Sequence, residues 1–288
     1  MNIDNPNGSK RLLSVLAHPD DESFGMGGTL ALYAKQGAQT YLVCATRGEA
    51  GSLDEDCMEG FSSIAERRES ELRCAAGILG LKGVYFLGYR DSGMAGSPDN
   101  AHPEALAAQP VEQVAARVVR HIREIKPQVV VTFDPIGGYK HPDHIAIHKA
   151  TVLAFKLAGD KTFQNGLPPY QPQKLYYHTF PKTMLRLMVR LAPLMGMDAK
   201  RMGRNKDLNF AELVAEADFP VHAKVNIRSV QAEKEAAAAC HASQLGGGIP
   251  RRGLVSSIMR LIGNYDSYMR AEPPVTNGKR EKDLFEGI

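Results

Sequence analysis

The sequence predicts an α/β fold, a Rossmann-like and mostly parallel sheet with helices on both faces, on three observations. Short apolar runs alternate with helical patterns through the first half of the chain. The runs are apolar throughout, as strands covered on both faces are. Polar, reactive side chains follow four of these runs, at the carboxyl edge where open α/β sheets bind ligands.

Taken in order, residues 12–17 read as a buried strand, with a helix behind it at 29–36. Residues 41–45 form a second strand, 64–79 a helix closed by Gly80, and 84–87 a third strand. The helix at 110–125 is the best defined. Val111, Val114, Val118, Val119, Ile122 and Ile125 fall on one stripe, and Pro110 suits a helix start. A fourth strand at 129–133 precedes a helix at 143–157. The second half is less regular: strands at 174–180 and 221–225, an Ala-rich helix at 231–242, a glycine-rich loop at 246–253 and a polar tail from 272. Residues 1–160 are expected to form the catalytic core and 161–288 to complete the same domain. Residues 184–204 interleave Met and Leu with Lys and Arg. That pattern reads as an amphipathic helix on the core, with a lid, an oligomer contact or a membrane-surface contact as alternatives.

Composition narrows the function. The chain has 288 residues, 43% hydrophobic and 23% charged, as in soluble globular proteins. A net charge of +3 is too small to argue for nucleic acid as partner. No apolar run reaches the roughly 18–20 residues of a membrane span. The first ten residues hold no signal-peptide core, so a cytoplasmic location is expected. Cys44, Cys57, Cys74 and Cys240 have no paired spacing, which suits a reducing compartment and argues against disulfides or a cysteine zinc site.

After the first strand comes His18-Pro19-Asp20-Asp21-Glu22, and after the fourth Gly137-Gly138-Tyr139-Lys140-His141-Pro142-Asp143-His144. A histidine and a carboxylate three residues apart at a strand end can turn toward one point. Zinc accepts imidazole nitrogen and carboxylate oxygen, and catalytic sites use three protein ligands with a position left open. Each proline stiffens its turn. A lone His-Pro-Asp is more often a surface turn; two such segments at neighbouring strand ends favour a metal site. The same donors would accept iron or cobalt.

These paired segments resemble the signature of the LmbE-like, or PIG-L, zinc-dependent de-N-acetylases. The similarity extends through 68–80, through Tyr89-Arg90-Asp91-Ser92-Gly93-Met94 and, more weakly, His241-Ala242-Ser243-Gln244. It is strong over the first half and thin over the second, and is greatest to the branch acting on mycothiol precursors. The resemblance implies one zinc per chain, bound by His18, Asp21 and His144, and removal of an acetyl group from an N-acetylglucosaminyl conjugate. It implies Asp20 as general base, His141 as an imidazolium facing the oxyanion, Asp143 orienting His141, and Tyr139 as a second polarising group. Arg68 and Asp91 would hold substrate hydroxyls. The implied partner is a small amino-sugar substrate; a homo-oligomer is left open.

Two rivals stand beside that reading: an amidase acting on a larger acyl-amide such as a thiol-sugar conjugate, and a non-catalytic sugar-binding module. Gly25 to Gly28 lack dinucleotide or P-loop spacing and read as helix–sheet packing, and Gly246-Gly247-Gly248 as a flexible loop. Taken alone, Arg68 reads as part of a solvated, salt-bridged helix face. His241 reads as a packed helix-end histidine, and no catalytic step is assigned to it or to His148.

Overall fold

Leu12, Leu13, Val15 and Leu16 are at most 2% exposed, and a strand so apolar on both faces requires covered faces and paired edges. The computed structural model describes residues 9–53, 55–180, 182–201, 209–216, 218–245, 264–276 and 278–288. In it β1 (Arg11–Leu16) lies between β2 (Gln39–Cys44) and β4 (Val129–Phe133), parallel to both. β3 (Gly83–Phe86) and β5 (Lys174–His178) extend the parallel sheet on either side. β7 (Tyr265–Glu272) and β6 (Ala223–Asn226) finish one side antiparallel, giving the order β3-β2-β1-β4-β5-β7-β6. The chain thus builds outward from β1 in one direction, then returns to place β4 on its other edge. The crevice at the carboxyl ends of β1 and β4 is the switch point where open sheets bind ligands.

The helices are α1 (Asp21–Lys35), α2 (Ile64–Leu79), α3 (Val111–Ile125), a four-residue turn α4 (Gly137–Lys140), α5 (Pro142–Gly159), α6 (Lys182–Leu191), α7 (Phe210–Glu216) and α8 (Gln231–Cys240). α2 has the expected bounds because its stop signals are local. Ser63 Oγ accepts the Glu66 N–H at 3.2 Å, and Gly80 ends the helix in the left-handed conformation. α3 buries Val114, Val118, Val119 and Ile122, the expected stripe.

α1 begins eight residues before the expected helix. Its glycines obscure the period, since each costs about 1 kcal/mol against alanine in a helix. Their use is close packing: a Cβ on Gly28 would lie 2.4 Å from Ile227 Cδ1. The chain after residue 264 also departs from expectation. β7 was hidden because its Asp266 and Ser267 are polar yet buried. Asp266 accepts from the Thr29 N–H at 2.8 Å and from Lys234 Nζ at 2.7 Å. The polar tail is an ordered clasp. Leu284 and Phe285 are buried, and Glu281 accepts from Lys174 Nζ and Tyr176 Oη, both at 2.7 Å.

The cysteine expectation is corrected. Cys74 of α2 and Cys240 at the end of α8 form a disulfide with Cα atoms 5.9 Å apart, and spacing could not reveal it because 166 residues separate them. Closing so long a loop restricts the unfolded chain. Replacing both cysteines by serine is expected to cost about 2–4 kcal/mol of stability in urea denaturation; an unchanged midpoint would mean the bond does not stabilise the protein. The glycine-rich loop at 246–253 and residues 202–204 lie outside the described residues. α6 and α7 bury Leu185 and Leu213 in a small second apolar cluster with Tyr139, Phe180 and Phe210. Lys140 ties α4 to this layer through Glu212 at 2.8 Å and Glu216 at 2.9 Å.

Candidate metal centre

The turns after β1 and β4 bring His18, Asp21 and His144 together. His144 Nε2 lies 3.3 Å from His18 Nδ1 and 3.3 Å from Asp21 Oδ1, and His18 Nδ1 lies 3.6 Å from Asp21 Oδ2. Ligands about 2.0–2.2 Å from a tetrahedral zinc are separated by about 3.3–3.6 Å, and each pair of side chains falls in that range, Asp21 meeting His144 through Oδ1 and His18 through Oδ2. The outer nitrogens are already engaged. His18 Nε2 donates to Asp143 Oδ2 at 3.0 Å, and His144 Nδ1 donates to the Gly137 carbonyl at 3.1 Å. That leaves the inner nitrogens, His18 Nδ1 and His144 Nε2, facing Asp21. Gly137 requires glycine here: its φ is +67°, and a Cβ would sit 2.9 Å from His144 Cβ. Nitrogens of His18, His141 and His144 also lie within 4.8 Å of one another. His141 is the weaker third donor, because its Nδ1 accepts the Asp143 N–H at 3.2 Å.

Charge follows this bonding. Burial disfavours the Asp21 carboxylate, but His144 bonded to it and His18 beside it hold it well below the usual carboxylate range. Burial opposes a charged His18 as well, yet Asp91 and Asp143 raise it well above its ordinary value. Asp20 behaves differently: burial raises it to about 6, while Arg68 opposes the rise. Asp20 also has φ 122° and ψ −28°, which costs a non-glycine residue about 1–3 kcal/mol.

Three of these side chains make contacts other than the expected ones. The Asp143 carboxylate does not orient His141. It accepts from His18 Nε2, from the Ser92 N–H at 2.9 Å and from Ser92 Oγ; only the Asp143 backbone reaches His141. Burial lowers His141 to about 2, helped by His18 and His144, which disfavours the imidazolium form, and its Nδ1 accepts the Asp143 N–H. Arg68, 4% exposed, is bonded to the turn that carries Asp20. Its Nη2 donates to Asp20 Oδ2 at 3.1 Å and the Pro19 carbonyl at 2.7 Å, and its Nη1 to the Gly48 carbonyl at 3.0 Å. Asp91, 3% exposed, accepts the Gly93 N–H at 2.8 Å and lies 3.5 Å from His18 Nε2. Tyr139 stacks edge-on against His144, with ring centroids 4.9 Å apart, and burial keeps its hydroxyl protonated.

Sequence reasoning gave no role to Ser92, whose N–H and hydroxyl fix Asp143. Its signal was its place directly after Asp91 at the third strand end. Removing a hydrogen-bond partner of a metal-binding histidine typically weakens metal affinity by about 10–100-fold. Asp143→Asn is expected to fall in that range by competition with a chelating dye; wild-type affinity would deny Asp143 this role.

Comparison with known proteins fits this geometry. Residues 13–155 match the family model PIG-L, described as GlcNAc-PI de-N-acetylase. A 1D-myo-inositol 2-acetamido-2-deoxy-alpha-D-glucopyranoside deacetylase from Streptomyces scabiei is 36% identical, over 96% of this chain and 90% of that protein. One of the same name from Kineococcus radiotolerans is 37% identical, over 97% and 83%. In fold the chain is similar to N,N'-diacetylchitobiose deacetylase from Pyrococcus horikoshii, with a TM-score of 0.63 at 21% identity, covering 94% of this chain and 87% of that one. With relatives this similar along nearly its whole length, and the two motif histidines brought together, the chain belongs to the PIG-L, or LmbE-like, family of de-N-acetylases.

Proposed function

We propose that the protein hydrolyses the acetamide of an N-acetylglucosaminyl inositol, releasing acetate and the free amino sugar, with zinc held by His18, Asp21 and His144. The observation that carries the reading is the 3.3–3.6 Å donor triangle beside a carboxyl group that burial has made more basic. The substrate class comes from the names of the relatives.

When bound, zinc supplies Lewis acidity to the amide carbonyl and makes water easier to deprotonate. The protein's own groups do the rest. Asp20, raised to about 6, is ionised at neutral pH yet basic enough to take a proton from the attacking water. It then returns that proton to the departing amine nitrogen. His141, neutral and protonated on Nε2, donates a hydrogen bond to the carbonyl oxygen as negative charge develops there. Tyr139, its hydroxyl protonated, offers a second donor. Arg68 holds Asp20 in place from behind.

The test is amine release from N-acetylglucosaminyl inositol and from a larger acyl-cysteinyl conjugate, with metal analysis of the same protein. Release from the acetyl substrate, lost on chelation and restored by zinc, is expected. No release by fully metal-loaded protein from either compound would overturn the reading.

No helix among the described residues is long and apolar enough to cross a membrane. We place the protein in the cytoplasm as a proposal, set against the Cys74–Cys240 bond. Disulfides are rare there in mesophiles. A thiol count on protein alkylated at cell lysis decides between them: four free thiols agree with the location and two oppose it.

A further inference from the structure

Glu22 and His241 are each 0% exposed and 219 residues apart in sequence, yet they meet. Glu22 Oε1 accepts from His241 Nε2 at 2.7 Å and from Ser23 Oγ at 2.5 Å. Its other oxygen, Oε2, accepts the backbone N–H of Asp20 at 3.0 Å. A fully buried carboxylate needs charge-assisted or multiple hydrogen bonds to persist. Here both oxygens are engaged, and one of them is spent on the peptide of Asp20. His241 Nδ1 has no bonding partner among the described residues, and its Nε2 meets Glu22 and Ser23.

His241 is itself firmly placed. Its neighbour Cys240 is bonded to Cys74 of α2. Two residues on, Ser243 donates through its N–H at 2.9 Å and its Oγ at 2.6 Å to Glu71 of α2. The last turn of α8 and the residues after it are therefore pinned to α2, the helix that also carries Arg68. Asp20 is gripped at two points from this frame: Arg68 holds its carboxylate, and Glu22 holds its peptide in the left-handed region.

We propose that Glu22 and His241 are positioning residues for Asp20. Glu22 keeps the Asp20 peptide at positive φ, which sets the direction of its side chain, and His241 keeps the Glu22 carboxylate aimed at that peptide. The inference rests on the reading of Asp20 as general base and deepens it. It gives the distant carboxyl-terminal segment a part in the reaction without contact with substrate.

The test compares His241→Leu with His241→Gln, whose amide nitrogen can stand in for Nε2, alongside Asp20→Asn. Misplacing a reacting group by about 1 Å can cost about 10²-fold in rate. His241→Leu is expected to lose about that much kcat, with KM and zinc stoichiometry unchanged, and His241→Gln to recover most of it. In a crystal structure of metal-free His241→Leu protein, Asp20 is expected to leave the positive-φ region. Wild-type kcat in His241→Leu, or lost activity with Asp20 still at positive φ, overturns the inference. If His241→Leu does not fold, Glu22→Gln takes its place. Its single amide oxygen can accept from Asp20 or from His241 but not from both, so the same fall is expected and wild-type kcat again overturns the inference. A fully active Asp20→Asn protein would instead defeat the reading of the base. An inactive Asp20→Asn beside a fully active His241→Leu would defeat only the positioning role.

Discussion

Asp20→Asn is expected to keep a full equivalent of metal and lose about 10²–10⁴-fold in kcat, the usual worth of a general base. The substitution keeps the size of the side chain, and an asparagine oxygen can still accept from Arg68 Nη2, 3.1 Å away in the native protein. What it removes is the group burial has raised to about 6, the one acid in the turn held within reach of neutrality. Asp21, one residue on, is held far below that value by His144 and His18, so it cannot take over the proton transfer. The measurement is kcat for amine release together with metal content of the same sample. Retained turnover would remove Asp20 from the chemistry.

His144→Ala is expected to abolish both metal retention and turnover. His144 Nε2 lies 3.3 Å from both other donor side chains, and its loss leaves His18 and Asp21 3.6 Å apart with only the weaker donor His141 on the β4 side. Zinc sites with catalytic function use three protein ligands, so two are insufficient to hold the ion at micromolar concentrations. Metal analysis after dialysis reads the effect directly. A variant that still carries one equivalent would mean that His141, whose ring centroid lies 4.9 Å from that of His144, can serve in its stead. The contrast with Asp143→Asn is informative: loss of a ligand removes the metal, whereas loss of the carboxylate behind a ligand weakens its grip.

The expectations that held share a physical origin. β4 and α2 have the expected bounds because their signals lie within a few residues: five consecutive apolar side chains for one, a serine cap and a left-handed glycine for the other. The proximity of the candidate donors has a similar origin, since His18 and Asp21 share one turn, while His144 follows a second turn of the same kind. α1, β7 and the tail were misread where tertiary contacts override local pattern. Of the three glycines inside α1, Gly28 is tolerated because Ile227 packs where its side chain would go. Asp266 lies inside a strand because Thr29 and Lys234 come from elsewhere to satisfy it.

By itself the sequence determined the parallel α/β sheet, the crevice at its carboxyl edge and the chemical identity of the groups that meet there. These are consequences of short-range periodicity and turn chemistry. Only the tertiary structure decided which of those groups bond to one another. Asp143 turns its carboxylate to His18, 125 residues away, and not to its near neighbour His141. Burial disfavours a charged His141, Arg68 bonds to Asp20, and Cys74 meets Cys240. Hydrogen-bond partners and burial are properties of the packed chain, and they set both the proton's position and the direction of each lone pair.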